Sequence, residues 1–447
     1  MNRTVEATRE MKDSGIEWIG KIPQEWELEP LKAILKERKE KNLPIKTTNI
    51  LSLTIDKGVI PYSEKSGGGN KAKEDLTAYK LAYPNDIVMN SMNVLSGSVG
   101  LSKYFGCVSP VYYMLRPINE NDDVRYFNYI FQTTVFQRSL LGLGNGILMK
   151  ESDNGKLNTI RMRIPIDKLG ELLIPVPESS VQKKIADYLD NVILDMDILL
   201  VDIKKQLEIL EEYKKAIITE VVTKGLDPNA EMKDSGIEGI GLIPANWKIK
   251  RAKYIADSLS KGYGITKEDV LEDGNIQCVR YGDIYSKYDS TLVKCVSMTN
   301  AERISSPKYI AKGDILFAGT GELVEEIGKN VVYMGDEPCL AGGDIVVMEH
   351  SENPIFLNYA MNSLYSQQQK SKGKAKLKVV HISATDIGNI LVALPPINEQ
   401  KEIAKLLDIK CSEINKAIAD KKQQLETLIQ YKKSLIYEYV TGKKEVV

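Results

Sequence analysis

The sequence predicts an α/β (α+β) chain built twice over: two duplicated mixed α/β domains separated by two long antiparallel coiled-coil helices. Three observations carry that expectation. The phrase MKDSGIEWIG, starting at Met11, returns as MKDSGIEGIG at Met232. Strand-like and helix-like runs alternate after each copy. Each half then closes on a proline stop and a long, uninterrupted helical pattern.

At 447 residues the chain has room for two to four domains with proper cores. Its 43% hydrophobic and 27% charged content is that of an ordinary globular protein. No apolar run approaches the roughly 18 residues that span a bilayer. The opening residues MNRTVEATREMKDSG lack the apolar core of a signal peptide. These features predict a cytoplasmic protein with no membrane association. Cys107, Cys278, Cys295, Cys339 and Cys411 are scattered and form no C-x-x-C pair, which argues against a disulfide framework or zinc ribbon. With only His350 and His381, a His-rich metal site is excluded, and histidine catalysis would rest on one of those two. A net charge of −1 speaks against a solitary tight nucleic-acid binder, but not against one subunit of a complex that shares the phosphate contacts.

The repeat can be followed anchor by anchor. Pro23 and Trp26 match Pro244 and Trp247 at the same offset of 221 as the opening phrase. Asp86-Ile87-Val88 matches Asp314-Ile315-Leu316 at 228, and Tyr126-Phe127-Asn128-Tyr129 matches Phe356-Leu357-Asn358-Tyr359 at 230. Gln182-Lys183-Lys184-Ile185-Ala186 matches Gln400-Lys401-Glu402-Ile403-Ala404 at 218. The drift locates the length changes in the interiors, while the ends stay alike. A retained scaffold with diverged loops is how one fold presents two different reading surfaces. Trp18 is replaced by Gly239, so any contact of that indole exists in one half only.

Each interior reads as mixed α/β. TTNILSLTI, NDIVMNSMNV and VYYML are strand-like in the first half; NIQCVRYGDI, GDILFA, NVVYM and DIVVME are strand-like in the second. Amphipathic helices follow, around 126–141 and 355–369.

The long helices begin after IPVPESS, with Ser179 or Ser180 as N-cap, and after LPPIN, with Asn398 as N-cap. Glycine and proline are then absent until Gly225 and Gly442, which suit C-terminal caps. The first helix carries a 4-3 seam of Ile185, Leu189, Val192, Met196, Leu199, Ile203, Gln206, Leu210, Tyr213 and Ile217. The second continues the register with Ile403, Leu407, Ile414, Ala417, Leu428, Tyr431 and Leu435, interrupted by Lys410 and Lys421. Gln206 aligns with Gln424, which predicts one buried polar layer fixing register. About 45 helical residues make a rod of roughly 65 Å, and an antiparallel pair would act as a ruler between two domains. The expected organisation is a domain over 11–177, a helix over 178–225, a domain over 226–396 and a helix over 397–442.

Several chemistries lack their motifs. There is no G-x-x-x-x-G-K-[ST], because SGGGNK and VTGKK have the wrong spacing. FAGTGE at 317–322 is similar to the glycine-rich loop of amino-methyltransferases, yet no [DN]-P-P-[YF] accompanies it. The counterpart of FAGTG in the first half, MNSMN, has no glycine. No cofactor is expected. Basic residues do cluster at matched positions: Lys370, Lys372, Lys374, Lys376 and Lys378 before the second proline stop, and the stretch 150–163 before the first.

In combination, KDSGIEWIG-x-IP-x-x-W, the IP-x-P and LPP-x-x-EQ stops, and the QKKIADYLD and QLE…YKK helix resemble the specificity subunit of type I restriction–modification enzymes. The resemblance covers nearly the whole chain. It implies a non-catalytic subunit whose two target recognition domains each read half of a split double-stranded DNA sequence. Its partners would be two methyltransferase subunits and two restriction/translocase subunits. On that reading the candidate DNA contacts are Asn90, Asn93, Lys150, Lys156, Arg161 and Arg163 in the first domain. In the second they are Arg280, Thr320 and the five lysines from Lys370 to Lys378. The candidate docking and coiled-coil residues are Trp18, Trp26, Trp247, Ile185, Leu189, Met196, Ile203, Gln206, Leu210, Ile403, Leu407, Ile414, Gln424 and Leu428. Two other classes compete. One is a self-contained adenine methyltransferase using FAGTG; the other is a coiled-coil scaffold that binds no nucleic acid.

Overall fold

The computed structural model describes residues 9–55, 57–65, 72–144, 150–151, 157–158, 163–237, 239–375 and 379–446. Contacts divide the chain into two units, 1–203 with 424–447 and 204–423. Each unit therefore owns one globular body and a segment of both long helices.

In the first unit the opening phrase is a hairpin, Met11–Asp13 antiparallel to Lys21–Pro23 with Met11 opposite Pro23. Asp13 Oδ1 accepts from Gly15 N (2.9 Å) and Ser14 N donates to Gly20 O (3.0 Å). The second copy repeats the register and bonds in its own unit: Met232 opposite Pro244, Asp234 to Gly236 N (2.9 Å) and Ser235 N to Gly241 O (3.0 Å). Gly15 and Gly236 share a φ of +68°, a left-handed conformation that glycine adopts without a Cβ clash. The phrase recurs because its residues dictate this turn.

Next, Glu27–Pro30 pairs with Leu173–Val176 in the first unit, and Lys248–Arg251 pairs with Leu391–Leu394 in the second. Each pairing joins the start of a body to the strand that feeds its long helix. The sheets between differ. The first body has a four-stranded antiparallel sheet ordered Leu35–Glu37, Tyr112–Pro117, Ile87–Asn90, Val99–Leu101. The second has a five-stranded sheet centred on Ile315–Ala318 and a four-stranded one centred on Ile276–Val279 and Cys339–Ala341, which run parallel. NIQCVRYGDI is not one strand. It turns after Val279 into a helix over Tyr281–Ser286, because Asp283 accepts from Arg280 N (3.0 Å) and caps the turn.

Each amphipathic helix proves to be two, Val124–Gln132 with Thr134–Ser139 and Pro354–Asn362 with Leu364–Ser371. The break falls at equivalent residues, Thr133 and Ser363. Their hydroxyls donate to Ile130 O (2.8 Å) and Ala360 O (2.6 Å), the same carbonyls that accept from their own backbone N–H groups, which closes the helix end. Tyr126, Phe127, Phe131 and Phe136 fill the first core; Phe356, Leu357, Met361 and Tyr365 fill the second.

The long helices span Ser179–Lys224 and Ile397–Val440. Both start one or two residues before the expected caps: Glu178 O and Pro396 O accept from Gln182 N and Gln400 N (3.0 Å each). In the first unit Ile185, Leu189, Met196 and Ile203 are buried, and Leu435, Ile436 and Val440 of the terminal helix share a core cluster with the first three. In the second unit Ile218, Val221 and Val222 pack with Ile403, Leu407 and Cys411. The seam departs from expectation by one residue in alternate steps. Leu199, Gln206, Tyr213, Gln424 and Tyr431 are exposed, whereas Leu200, Leu207, Lys214, Leu425 and Lys432 turn inward. Likewise Cys411 and Ile418 are buried in place of Lys410 and Ala417. No buried glutamine layer forms, since the shifted stripe gains the apolar Leu200, Leu207, Ile418 and Leu425. Ile414 is buried; Leu210 and Leu428 are half-buried. Among the described residues no helix is long and apolar enough to cross a membrane.

Candidate nucleic-acid interface

The same frame holds each interior in place. In the first unit Gln182 accepts from Asp123 N (3.0 Å) and donates to Pro177 O (2.9 Å). In the second Gln400 accepts from Asn353 N (3.0 Å) and donates to Pro395 O (2.9 Å). Tyr129 donates to Asp190 (2.5 Å), and Tyr359 donates to Asp408 (3.0 Å). Burial first, then Asp190 at Tyr129 and Cys411 with Asp408 at Tyr359, push both phenols well above the usual tyrosine range. Lys432 pairs with Asp197 (2.5 Å) in the first unit, and Lys214 donates to Asn415 (2.8 Å) in the second. Only the first unit adds Arg125, which bridges Asp123, Asp187 and Asp190.

The tryptophans belong to this frame rather than to its outer surface. Of the candidate docking residues, Trp26 is 1% and Trp247 0% exposed, so both indoles are spent on internal packing. Each packs beneath the end of a long helix. A Cβ on Gly442 would lie 3.0 Å from the Trp26 ring, and one on Gly225 would lie 3.2 Å from the Trp247 ring. Trp18 is half-buried and meets Phe136 edge-on at 5.5 Å. Its counterpart Gly239 has φ +89° and faces Gln368. Ile185, Leu189, Met196, Ile203, Ile403, Leu407 and Ile414 are likewise spent on internal packing. The exposed parts of these helices are the other faces, with Leu194, Ile198, Leu199 and Ile209 among them.

The expected DNA contacts divide three ways. Lys156, Arg161, Lys376 and Lys378 lie outside the described residues, and Lys150 is in a short strand, Lys150–Glu151, paired with Leu157–Asn158. Arg163 and Lys372 are exposed, and Asn93 is half-buried at the turn that follows Ile87–Asn90. The others are engaged internally. Asn90 is 8% exposed and accepts from Met92 N (3.0 Å). Lys374 pairs with Asp386 (2.8 Å), and holds that carboxyl below its usual range.

Two assignments are overturned. Lys370 is a core residue, 1% exposed, donating to Gly328 O (2.7 Å) and Asn330 Oδ1 (2.9 Å) with its ammonium over the Phe317 ring. Asn330 continues to Asn358 (2.8 Å) and Asn358 to Ser290 Oγ (2.8 Å), so Lys370 ends a buried polar chain instead of meeting phosphate. Thr320 is 6% exposed and bonded to His381 Nδ1 (3.0 Å). FAGTG is extended: Ile315–Ala318 is the centre of a sheet and Thr320–Gly321 pairs with Val380–His381. A Cβ on Gly319 would sit 2.9 Å from Asp344 O, and one on Gly321 2.7 Å from Tyr285 Oη. Close packing accounts for both glycines without a cofactor.

Among the described contacts of the second unit, Lys370, Lys372 and Lys374 border a cleft of about 1060 Å³, in which Lys370 is buried and Lys374 is paired with Asp386. Arg280 instead opens onto a separate basic cleft with two exposed tyrosines. The Arg280 cleft has a volume of about 820 Å³ and is formed by 261–267, 280–282 and 342–344. Lys261, Tyr263, Lys267 and Tyr281 line it and are all exposed, and none of them is among the contacts expected from sequence. The signal available was KGYGITK, an aromatic residue between glycines and lysines. Among the described residues no group of three or more His, Cys, Asp or Glu side chains is placed to hold a metal ion.

Comparison with known proteins agrees with this duplicated layout. The type I restriction modification DNA specificity domain matches twice, over residues 23–209 and 244–427. The chain is 25% identical over 440 residues to the type I restriction enzyme MjaVIII specificity subunit of Methanocaldococcus jannaschii, covering 95% of this chain and 94% of that one. It is 25% identical over 456 residues to the putative MjaX specificity subunit of the same organism, covering 96% of each. In structure it is similar to a chain solved in work on complex assembly and conformational transition of the type I R-M system, with a TM-score of 0.69 at 15% identity over 95% of this chain and 99% of that one. The HsdS subunit from Thermoanaerobacter tengcongensis gives a TM-score of 0.50 at 16% identity over 95% of this chain and 98% of that one. Those two likenesses concern the fold; the paired domain match and the full-length relatives concern the family. The chain belongs to the type I restriction–modification DNA specificity family, as a specificity subunit.

Proposed function

We propose that this chain, acting in the cytoplasm, is the non-catalytic subunit that reads a split, asymmetric double-stranded DNA sequence, one half-site per unit. It recruits two methyltransferase subunits and, for restriction, two ATP-dependent translocase–nuclease subunits. The observation that carries this reading is a frame whose glutamine and tyrosine contacts repeat around unlike interiors. Gln182 and Gln400, and Tyr129 and Tyr359, make equivalent contacts, while the sheets between them differ in strand number and order. Equivalent frames suit two copies of one partner, and unlike interiors suit two different half-sites. The length of the long helices sets the number of base pairs between the half-sites.

The test is co-expression with the methyltransferase subunit, followed by sequencing of methylated bases. A two-part asymmetric motif is expected. A single contiguous motif, or methyl transfer by the purified chain alone, overturns the proposal.

A further inference from the structure

The Arg280 cleft in the second unit has a floor without side chains. Gly262 N donates to Ile345 O (2.8 Å), Tyr263 N to Ala341 O (3.1 Å) and Gly342 N to Val279 O (2.8 Å), which stitches three distant segments together. A Cβ on Gly262 would fall against the carbonyls of Ala341 and Gly342, so no side chain fits between these backbones. On the walls, Tyr263 is 52% and Tyr281 39% exposed, so both rings leave apolar surface open at the cleft. Lys261 and Lys267 stand at the rim. The carboxylate facing them is Asp344, 3.6 Å from Lys261.

Arg280 differs from these lysines in being held. The buried Asp283 engages its Nε (3.4 Å) and Nη2 (3.3 Å), and Asp283 is fixed in turn by Ser297 Oγ (3.1 Å) and by Arg280 N (3.0 Å). A guanidinium has five N–H groups, so this clamp leaves its terminal edge able to fork onto two acceptors. Guanine offers such a pair, O6 and N7, in the major groove. An arginine fixed by a buried acid spends less entropy on forming that fork than a free one.

We infer that this cleft is where the second unit meets its half-site, with Arg280 reading a guanine edge, Lys261 and Lys267 contacting phosphate, and Tyr263 and Tyr281 packing along the strand. The inference rests on the specificity-subunit reading and assigns it to particular residues. The experiment uses the complex with its methyltransferase subunit, comparing wild type with Arg280→Lys, which keeps a cation beside Asp283 but loses the fork, and with Arg280→Ala. Both variants are expected to lose preference at one G·C position of one half-site by about 10- to 100-fold, with the other half-site unchanged. Lys261→Ala combined with Lys267→Ala is expected to weaken binding to all duplexes and lower the salt slope by about two. Should Arg280→Lys melt like wild type and methylate the same motif with undiminished discrimination at every position, the assignment is wrong. A wild-type complex that yields no two-part motif defeats the specificity-subunit reading instead, and this inference with it.

Discussion

Gly442 lies directly on Trp26: with φ +71° it ends the terminal helix where an added Cβ would stand 3.0 Å from the indole and still closer to Pro23. Gly225 (φ +74°) ends the other long helix in the same way, 3.2 Å from Trp247 by the same measure and 3.0 Å from Glu399 Oε1. Gly442→Ala must strain the backbone and displace a rigid proline ring as well. It is expected to destabilise the first unit by roughly 2–3 kcal/mol in denaturant unfolding. Gly225→Ala should cost less, because its nearest neighbour is a flexible carboxylate. Equal stability of Gly442→Ala and wild type would show that the helix end is free to move off the tryptophan.

Much of this frame was legible in the sequence because it is local. The MKDSG phrase encodes its own turn through Asp13 and Gly15, and prolines and glycines delimit the long helices. The seam missed by one residue because Leu199 and Leu200 are adjacent and equally apolar, so periodicity alone could not choose. Matching Gln206 to Gln424 favours a polar layer; the exposure of both glutamines, with Leu207 and Leu425 half-buried beside them, decides against it. Lys370 was indistinguishable from four other lysines in an alternating run, and only the packing of Phe317 and Asn330 sets it apart. The cleft was illegible as a whole. Its walls come from residues near 261, 280 and 342, and only the sheet pairing brings them together.

Lys370 should make the second unit pH-sensitive. Burial lowers its pKa from 10.5 to about 7, with no carboxylate beside it to offset the loss of solvent. The folded state thus binds fewer protons than the unfolded state between those values, and stability rises with pH across that window. Below about pH 7 the full penalty applies, on the order of 5 kcal/mol. Lys370→Met keeps most of the stem but leaves Gly328 O and Asn330 Oδ1 without their donor. The variant is expected to be less stable than wild type at pH 10, with a flatter melting profile between pH 7 and 10. A wild-type profile as flat as that of the variant would mean that Lys370 is not the titrating group.

The two interiors should be exchangeable one at a time. Replacing residues 30–164 by the equivalent stretch of a relative leaves Gln182, Asp190 and the helix seam intact, so the frame contacts of Tyr129 and Asp123 need only be retained in the graft. Methylated-base sequencing is expected to show one half of the motif changed and the other preserved. Coupled changes in both halves would contradict independent reading.

The last prediction concerns the spacer. An inserted helical residue adds about 1.5 Å and turns the helix by about 100°, so insertions differ in whether they keep the inward apolar stripe in phase. The stripe runs through Ile203, Leu207 and Leu210 in one helix and through Leu425 and Leu428 in the other. Seven residues complete nearly two turns, about 20° short, and preserve that phase. The exposed Gln206 and Gln424 mark tolerant insertion points, provided both helices are lengthened together. Such a double insertion adds about 10 Å to each helix and is expected to lengthen the recognised spacer by about three base pairs, with both half-sites unchanged. A two-residue insertion in both helices turns the stripe by about 200° and should abolish cooperative unfolding. If the seven-residue variant folds, binds its methyltransferase partner and still methylates the original spacing, the helices do not set the spacer and serve to dock partners alone.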